Sequence, residues 1–282
     1  MINTKLTTVT PKMASEMLKS NTGNRKIRIN HVNRLKTEIL AGRWLVTHQG
    51  IAFAEDGSLI DGQHRLMAIE ASGKPVQIMI THGVEKYHNG DINLNTMDVI
   101  DCGKVRSTGD QLHLLHGVKN VNIVVGTLNM IARQFLNTNK FMPALSVGQA
   151  KEMLEIYGEA IEALLPELLG KLTRRSAIVA ALAVGYKVAP EPSLLFAKHL
   201  TTGNGIGTGD PVYALRESLI AYPVTGHKND LGNLFLRTAQ ALYNTVQEIP
   251  IKTAKVSRIG LEYFMAQDKK SVAKVRSLIL GE

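Results

Sequence analysis

Apolar positions alternate between strand and helix spacing over the first hundred residues, then keep helix spacing almost to the end of the chain. Thr10-Pro11 starts a helix within residues 8–19, with proline in its first turn. Residues 20–30 are polar and rich in Gly and Asn, the composition of a loop. Val32, Leu35 and Leu40 fall near one face and predict a helix from about Asn30 to Ala41, with Asn30 as N-cap and Gly42 as C-cap. Ile51-Ala52-Phe53-Ala54, Glu55-Asp56-Gly57 and Ser58-Leu59-Ile60 predict a β-hairpin through an Asp-Gly turn. Leu66, Ala68, Ile69 and Ala71 suit a helix packed on a sheet and ending at Ser72-Gly73. Val76 to Thr81, β-branched between Pro75 and Gly83, predicts a buried strand. Residues 85–97 are polar, Met97 to Ile100 reads as a short last strand, and a helix starts near Thr108.

Beyond Gly117 the predicted helices run over about 119–138, 145–169, 173–188, 192–201, 210–221, 229–248 and 254–280. Pro143, Gly170, Pro190, Gly203–Gly209, Pro223 and Pro250 separate them. No self-similarity of 20–50 residues appears, which excludes a solenoid. The expected fold class is α+β: a mixed N-terminal domain over residues 1–112 and an all-helical domain over 113–282.

Composition adds limits. A chain of 282 residues, 44% hydrophobic and 20% charged, has the make-up of a globular protein with one large or two ordinary domains. No apolar run reaches 18 residues, and Met1 to Leu6 lacks a signal-peptide layout. The single cysteine, Cys102, excludes an internal disulfide and fits a reducing cytoplasm. The net charge of +9 is uneven: residues 1–110 carry 14 cationic against 11 acidic side chains, the rest 19 against 13. That bias favours an anionic partner such as nucleic acid or nucleotide, or else a basic inert surface. Lys171, Arg174 and Arg175, and then Lys252, Lys255 and Arg258, form two small basic clusters; a solvated face and a DNA-backbone contact explain them equally. The nine histidines show no metal-ligand spacing. Gly203–Gly209 has glycine-loop spacing but follows a helix, so it reads as an inter-helix loop. Trp44, the only tryptophan, reads as a core or inter-domain anchor.

The most informative stretch is Asp61-Gly62-Gln63-His64-Arg65, set between a predicted strand and a predicted helix. Amides at a helix N-terminus attract anions. Gly62 permits close backbone approach, Arg65 brings a planar cationic fork, and His64 brings a further donor or titrating group. Together they read as a phosphate cradle; the plainer reading is a tight turn capped by Asp61.

This stretch resembles the strand–turn–helix signature of the ParB/sulfiredoxin superfamily, and phage ParB-like proteins in particular. Asn24-Arg25, His31-Val32, Gly42-Arg43-Trp44 and Gly50–Phe53 resemble the usual lead-in, and Ile100–Ser107 the usual exit. The resemblance implies an N-terminal nucleotide-binding domain in a phage or mobile-element protein, with CTP or ATP and Mg²⁺ as cofactors. By resemblance, Arg65 contacts phosphate, His64 donates to it, and Asp61 holds Mg²⁺ or orients the turn; these three are the candidate catalytic residues. Gly62, Gln63, Lys104, Arg106 and Arg25 join them in nucleotide binding, and Asp101 joins Asp61 at the metal. Around Arg106 the alternative is a helix cap at Ser107 or Thr108 beside solvated cations. Sulfiredoxin carries its reactive cysteine where this chain has Gln63, which excludes that thiol chemistry; phosphoryl chemistry survives the change. The implied activity is Mg²⁺-dependent nucleoside-triphosphate binding, extending to hydrolysis or phosphoryl transfer, in a DNA-associated role. The alternatives are a DNA-binding regulatory or protective protein without turnover, and a metal-dependent nuclease using Asp61, Asp98, Asp101 and Asp110. Expected partners are nucleotide, DNA and a second copy in a homodimer, with no membrane.

Overall fold

A computed structural model of the chain describes residues 1–24, 26–87, 96, 107–137, 144–221 and 228–280. The fold is α+β, with thirteen helices and one four-stranded sheet among the described residues. The chain forms two compact units, divided between residues 105 and 106.

In the N-terminal unit the strands are β1 (Asn3–Val9), β2 (Ile51–Ala54), β3 (Leu59–Asp61) and β4 (Val76–Val84), in spatial order β1-β4-β2-β3. β4 runs antiparallel to β1 and parallel to β2, and β2 and β3 form the Asp-Gly hairpin. Three helices accompany them: α1 (Pro11–Leu18), α2 (Ile29–Leu40) and α3 (Gln63–Ser72). Thr10 caps α1 by accepting the Met13 amide at 3.2 Å, and Pro11 is its first residue. Ala14, Val32, Ile39, Leu66, Ala68 and Ile69 from the helices meet Val9, Ile51, Phe53, Leu59, Val76, Ile78 and Ile80 from the sheet in one core. Along β4, buried Val76, Ile78 and Ile80 alternate with exposed Gln77 and partly exposed Met79 and Thr81. The strand predicted as buried is therefore covered on one face only, as its antiparallel pairing with β1 allows. Trp44 packs against this core and donates its indole N–H to the Gln77 carbonyl at 3.0 Å.

Asp56 holds the hairpin turn. Its Oδ1 accepts the Ser58 hydroxyl and amide, at 2.5 and 2.8 Å, and its Oδ2 meets Lys86 at 3.0 Å. The Ser58 hydroxyl, then the Ser58 amide and Lys86, lower its carboxyl to about 2. A carboxylate lowered by folding stabilises the fold above its unfolded pKa, about 4, and stops doing so as pH falls through its folded value. Asp56→Asn is therefore expected to lower the melting temperature at neutral pH and to remove part of the acid-induced loss between pH 4 and 2, measured by thermal melts across that range.

The C-terminal unit is all-helical: α4 (Thr108–His116), α5 (Val121–Leu136), α6 (Val147–Leu164), α7 (Gly170–Thr173), α8 (Ser176–Tyr186), α9 (Pro190–Thr202), α10 (Pro211–Ala221), α11 (Lys228–Val246), α12 (Ile259–Gln267) and α13 (Lys269–Leu280). Every residue of α8 from Ala177 to Val184 is at most 4% exposed, because α5, α6, α9, α11 and α12 surround it. A helix apolar on all sides belongs at a core's centre. Of the predicted helices, the 173–188 run is the single helix α8, while the short α7 falls on the stretch from Gly170 that reads as a break. The 254–280 run breaks at Asp268, whose carboxylate then caps α13 by accepting the Ser271 amide at 3.3 Å. No helix among the described residues is long and apolar enough to cross a membrane.

Candidate functional site

β3 ends at Asp61 and α3 begins at Gln63, so the pentapeptide is a strand-to-helix turn. Gly62 is the hinge, with φ +98°. A Cβ there would lie 3.0 Å from the Ile51 Cα and Cγ1 and 3.3 Å from the Gly50 carbonyl oxygen. Glycine is thus required both by conformation and by the close approach of the turn to β2. It offers α3 no side-chain cap.

The other four residues are held from several directions. Asp61 accepts the Gly62 amide on Oδ1 at 2.6 Å and faces Arg65 with Oδ2 at 3.3 Å. With side chains 21% and 32% exposed, that ion pair contributes a few tenths of a kcal/mol to about 1 kcal/mol. Arg65 also donates Nη1–H to the Gly50 carbonyl at 2.8 Å and Nη2–H to the Gln49 side chain at 3.4 Å. Its fork is thereby oriented while its exposed fraction still faces solvent. Gln63, 4% exposed, accepts from Asn21 at 3.1 Å; Asn24 bridges to the Asn21 side chain and the Leu59 carbonyl.

His64 is 6% exposed, and its Nε2 accepts the Arg28 amide at 3.0 Å. An acceptor Nε2 assigns the neutral ring with its proton on Nδ1. The His31 ring stands edge-on to it, centroids 5.2 Å apart. Arg28 is the N-cap residue of α2 and gives that helix no side-chain cap either. Two helix N-termini, those of α2 and α3, therefore meet at the His64–Arg28 hydrogen bond. Each carries about half a positive elementary charge from its peptide dipoles. Lys26 and Arg28 are exposed beside this junction and have no acidic partner among the described residues.

Of the residues expected at the site, Asp61, Gly62, Gln63, His64 and Arg65 come together in this turn. Arg25, Asp101, Lys104 and Arg106, together with Cys102 and the 97–100 strand carrying Asp98, lie outside the described residues. Asp110, a candidate nuclease carboxylate, closes a capping box with Ser107 at the start of α4. The Ser107 cap weighed for that position is thus present. Gln49 and Gly50 prove to be acceptors for Arg65, while Asn21 and Arg28 are contacts the sequence reading did not name. No group of three or more His, Cys, Asp or Glu side chains is arranged for a metal among the described residues.

In the basic clusters of the helical unit the three arginines are structural ties, while Lys171, Lys252 and Lys255 are exposed. Arg174 donates to the Asn120 side chain at 3.0 Å, Arg175 to the Lys171 carbonyl at 3.1 Å, and Arg258 to the Gln134 carbonyl at 3.2 Å. The Gly203–Gly209 stretch joins α9 to α10, with Arg216 closing the last α9 carbonyls through Leu200 and Thr201. Comparison of the chain with protein-family models, with curated proteins and with solved structures found no match.

Proposed function

We propose that the N-terminal unit is a ParB/sulfiredoxin-like module that binds the phosphate groups of a nucleoside triphosphate, CTP or ATP with Mg²⁺, in a DNA-associated role. The supporting observation is the meeting of the α2 and α3 N-termini, neither with a side-chain cap, beside exposed Lys26 and Arg28. Helix dipoles and cations of one sign focused on one spot favour a polyanion. Arg65, pre-oriented by Gly50, Asp61 and Gln49, supplies the fork that a phosphate accepts. Mg²⁺ brought with the nucleotide would neutralise phosphate charge; Asp61 is the residue that would help hold it, at the expense of its contact with Arg65. Hydrolysis or phosphoryl transfer would then depend on positioning more than on new covalent chemistry.

Calorimetric titration with CTP, ATP and GTP in the presence of Mg²⁺ tests this reading. Native protein is expected to bind at least one of them. Arg28→Ala, an exposed change, is expected to weaken binding about tenfold, the scale of one charge-assisted phosphate contact. Absence of binding by native protein would sink it.

A second reading follows from Asp61, whose two oxygens both serve the turn itself. In it the site takes a DNA backbone phosphate and no metal. Duplex binding would then fall steeply with salt and be indifferent to Mg²⁺ removal.

A further inference from the structure

We propose that the outer edge of β1 is a strand-addition site for a second copy of this chain. β1 closes one side of the sheet among the described residues. Its seven residues pair one to one with β4, from Asn3 opposite His82 to Val9 opposite Val76, with no bulge. Thr4 and Thr81 add a cross-strand hydroxyl contact at 2.9 Å. Asn3, Thr4, Lys5, Leu6 and Thr8 are exposed, Leu6 at 52%. The opposite edge differs. β3 has three residues and shifts register against β2. Short length and bulges are ways of blunting a sheet edge against other strands, as are prolines and charges. β3 has the first two; β1 has a single charge, Lys5.

The strand is complementary to itself. In a two-fold antiparallel pair the register that engages all seven residues centres on Leu6. It sets Leu6 against the second copy's Leu6, Thr4 against its Thr8, and Lys5 against its Thr7. Threonine and leucine pairs suit a half-exposed sheet face. Sliding by one pair in one direction brings Lys5 opposite Lys5; sliding in the other leaves two residues unpaired at each end. The longest register is thus also free of like-charge contact. A single strand pair lies at the small end of specific interfaces, below about 1,200 Å², so the association is weak and concentration-dependent.

Sedimentation equilibrium of the full chain, from micromolar to near-millimolar concentration, is expected to show a monomer–dimer equilibrium that stops at the dimer. Leu6→Lys places two cations face to face and is expected to weaken it by about tenfold or more. Leu6→Glu is expected to do the same, and mixing the two variants to restore the dimer, which loss of folding would not allow. A native chain that stays monomeric throughout overturns the proposal. So does association that passes beyond the dimer, or that both single variants leave undiminished.

Discussion

Gly50→Ala is expected to cost the N-terminal unit at least about 3 kcal/mol of stability, more than most point changes. The added Cβ would fall 2.0 Å from the Met79 carbonyl oxygen and 2.7 Å from its carbon. Both atoms are backbone of β4, so no side chain can swing aside. The contact lies next to the first pair of the parallel β2–β4 ladder, Ile51 with Ile80. The Gly50 carbonyl also receives Arg65, so the same change displaces the group that aims the arginine. Urea unfolding followed by tryptophan fluorescence reports this unit directly, because the only tryptophan, Trp44, is bonded to the Gln77 carbonyl on β4. A midpoint equal to the native one would refute the close approach.

Ala181→Asp is expected to abolish the fold of the helical unit. Ala181 is fully buried, as are its neighbours Ala180 and Leu182 on α8. An isolated carboxylate there loses water on every side and gains no cation; burying an unpaired ion costs several kcal/mol even after relaxation, comparable to the whole stability of a domain. Ala181→Gly, which adds no charge, is expected to cost only about 1 kcal/mol through helix propensity, and somewhat more for the lost methyl. Circular dichroism and solubility of the two variants separate these outcomes. A soluble, fully helical Ala181→Asp protein would show that α8 is not the centre of the core.

Much of the fold was legible where burial leaves a periodic mark. The hairpin, α2 and α3 with its stop at Gly73 lie within a residue or two of their expected positions, because alternating or 3.6-period apolar residues and turn glycines specify them locally. β1 was not legible. Asn3-Thr4-Lys5-Leu6-Thr7-Thr8-Val9 buries only Val9, and a strand exposed on both faces has no reason to alternate. The break at Asp268 was hidden for the opposite reason: helical composition continues across it, and the only local mark is the one residue that caps α13. The pentapeptide located the candidate site, since a glycine at a strand-to-helix turn is a local requirement. Its side-chain roles are not local. His64 finds its partner in Arg28, and Gln63 finds Asn21, across a hairpin and a helix that no spacing rule encodes.

The pairing of β1 with β4 also governs the order in which the chain can assemble. Val9 must wait for Val76, and Asn3 for His82, before the sheet has its fourth strand. A contact spanning that much sequence loses loop entropy before it returns any bonding. The hairpin and the helices are formed from near neighbours in sequence and need no such wait. β1 is thus made well before the strand that captures it, and of the sheet's pairings its docking closes the longest loop and carries the largest closure entropy.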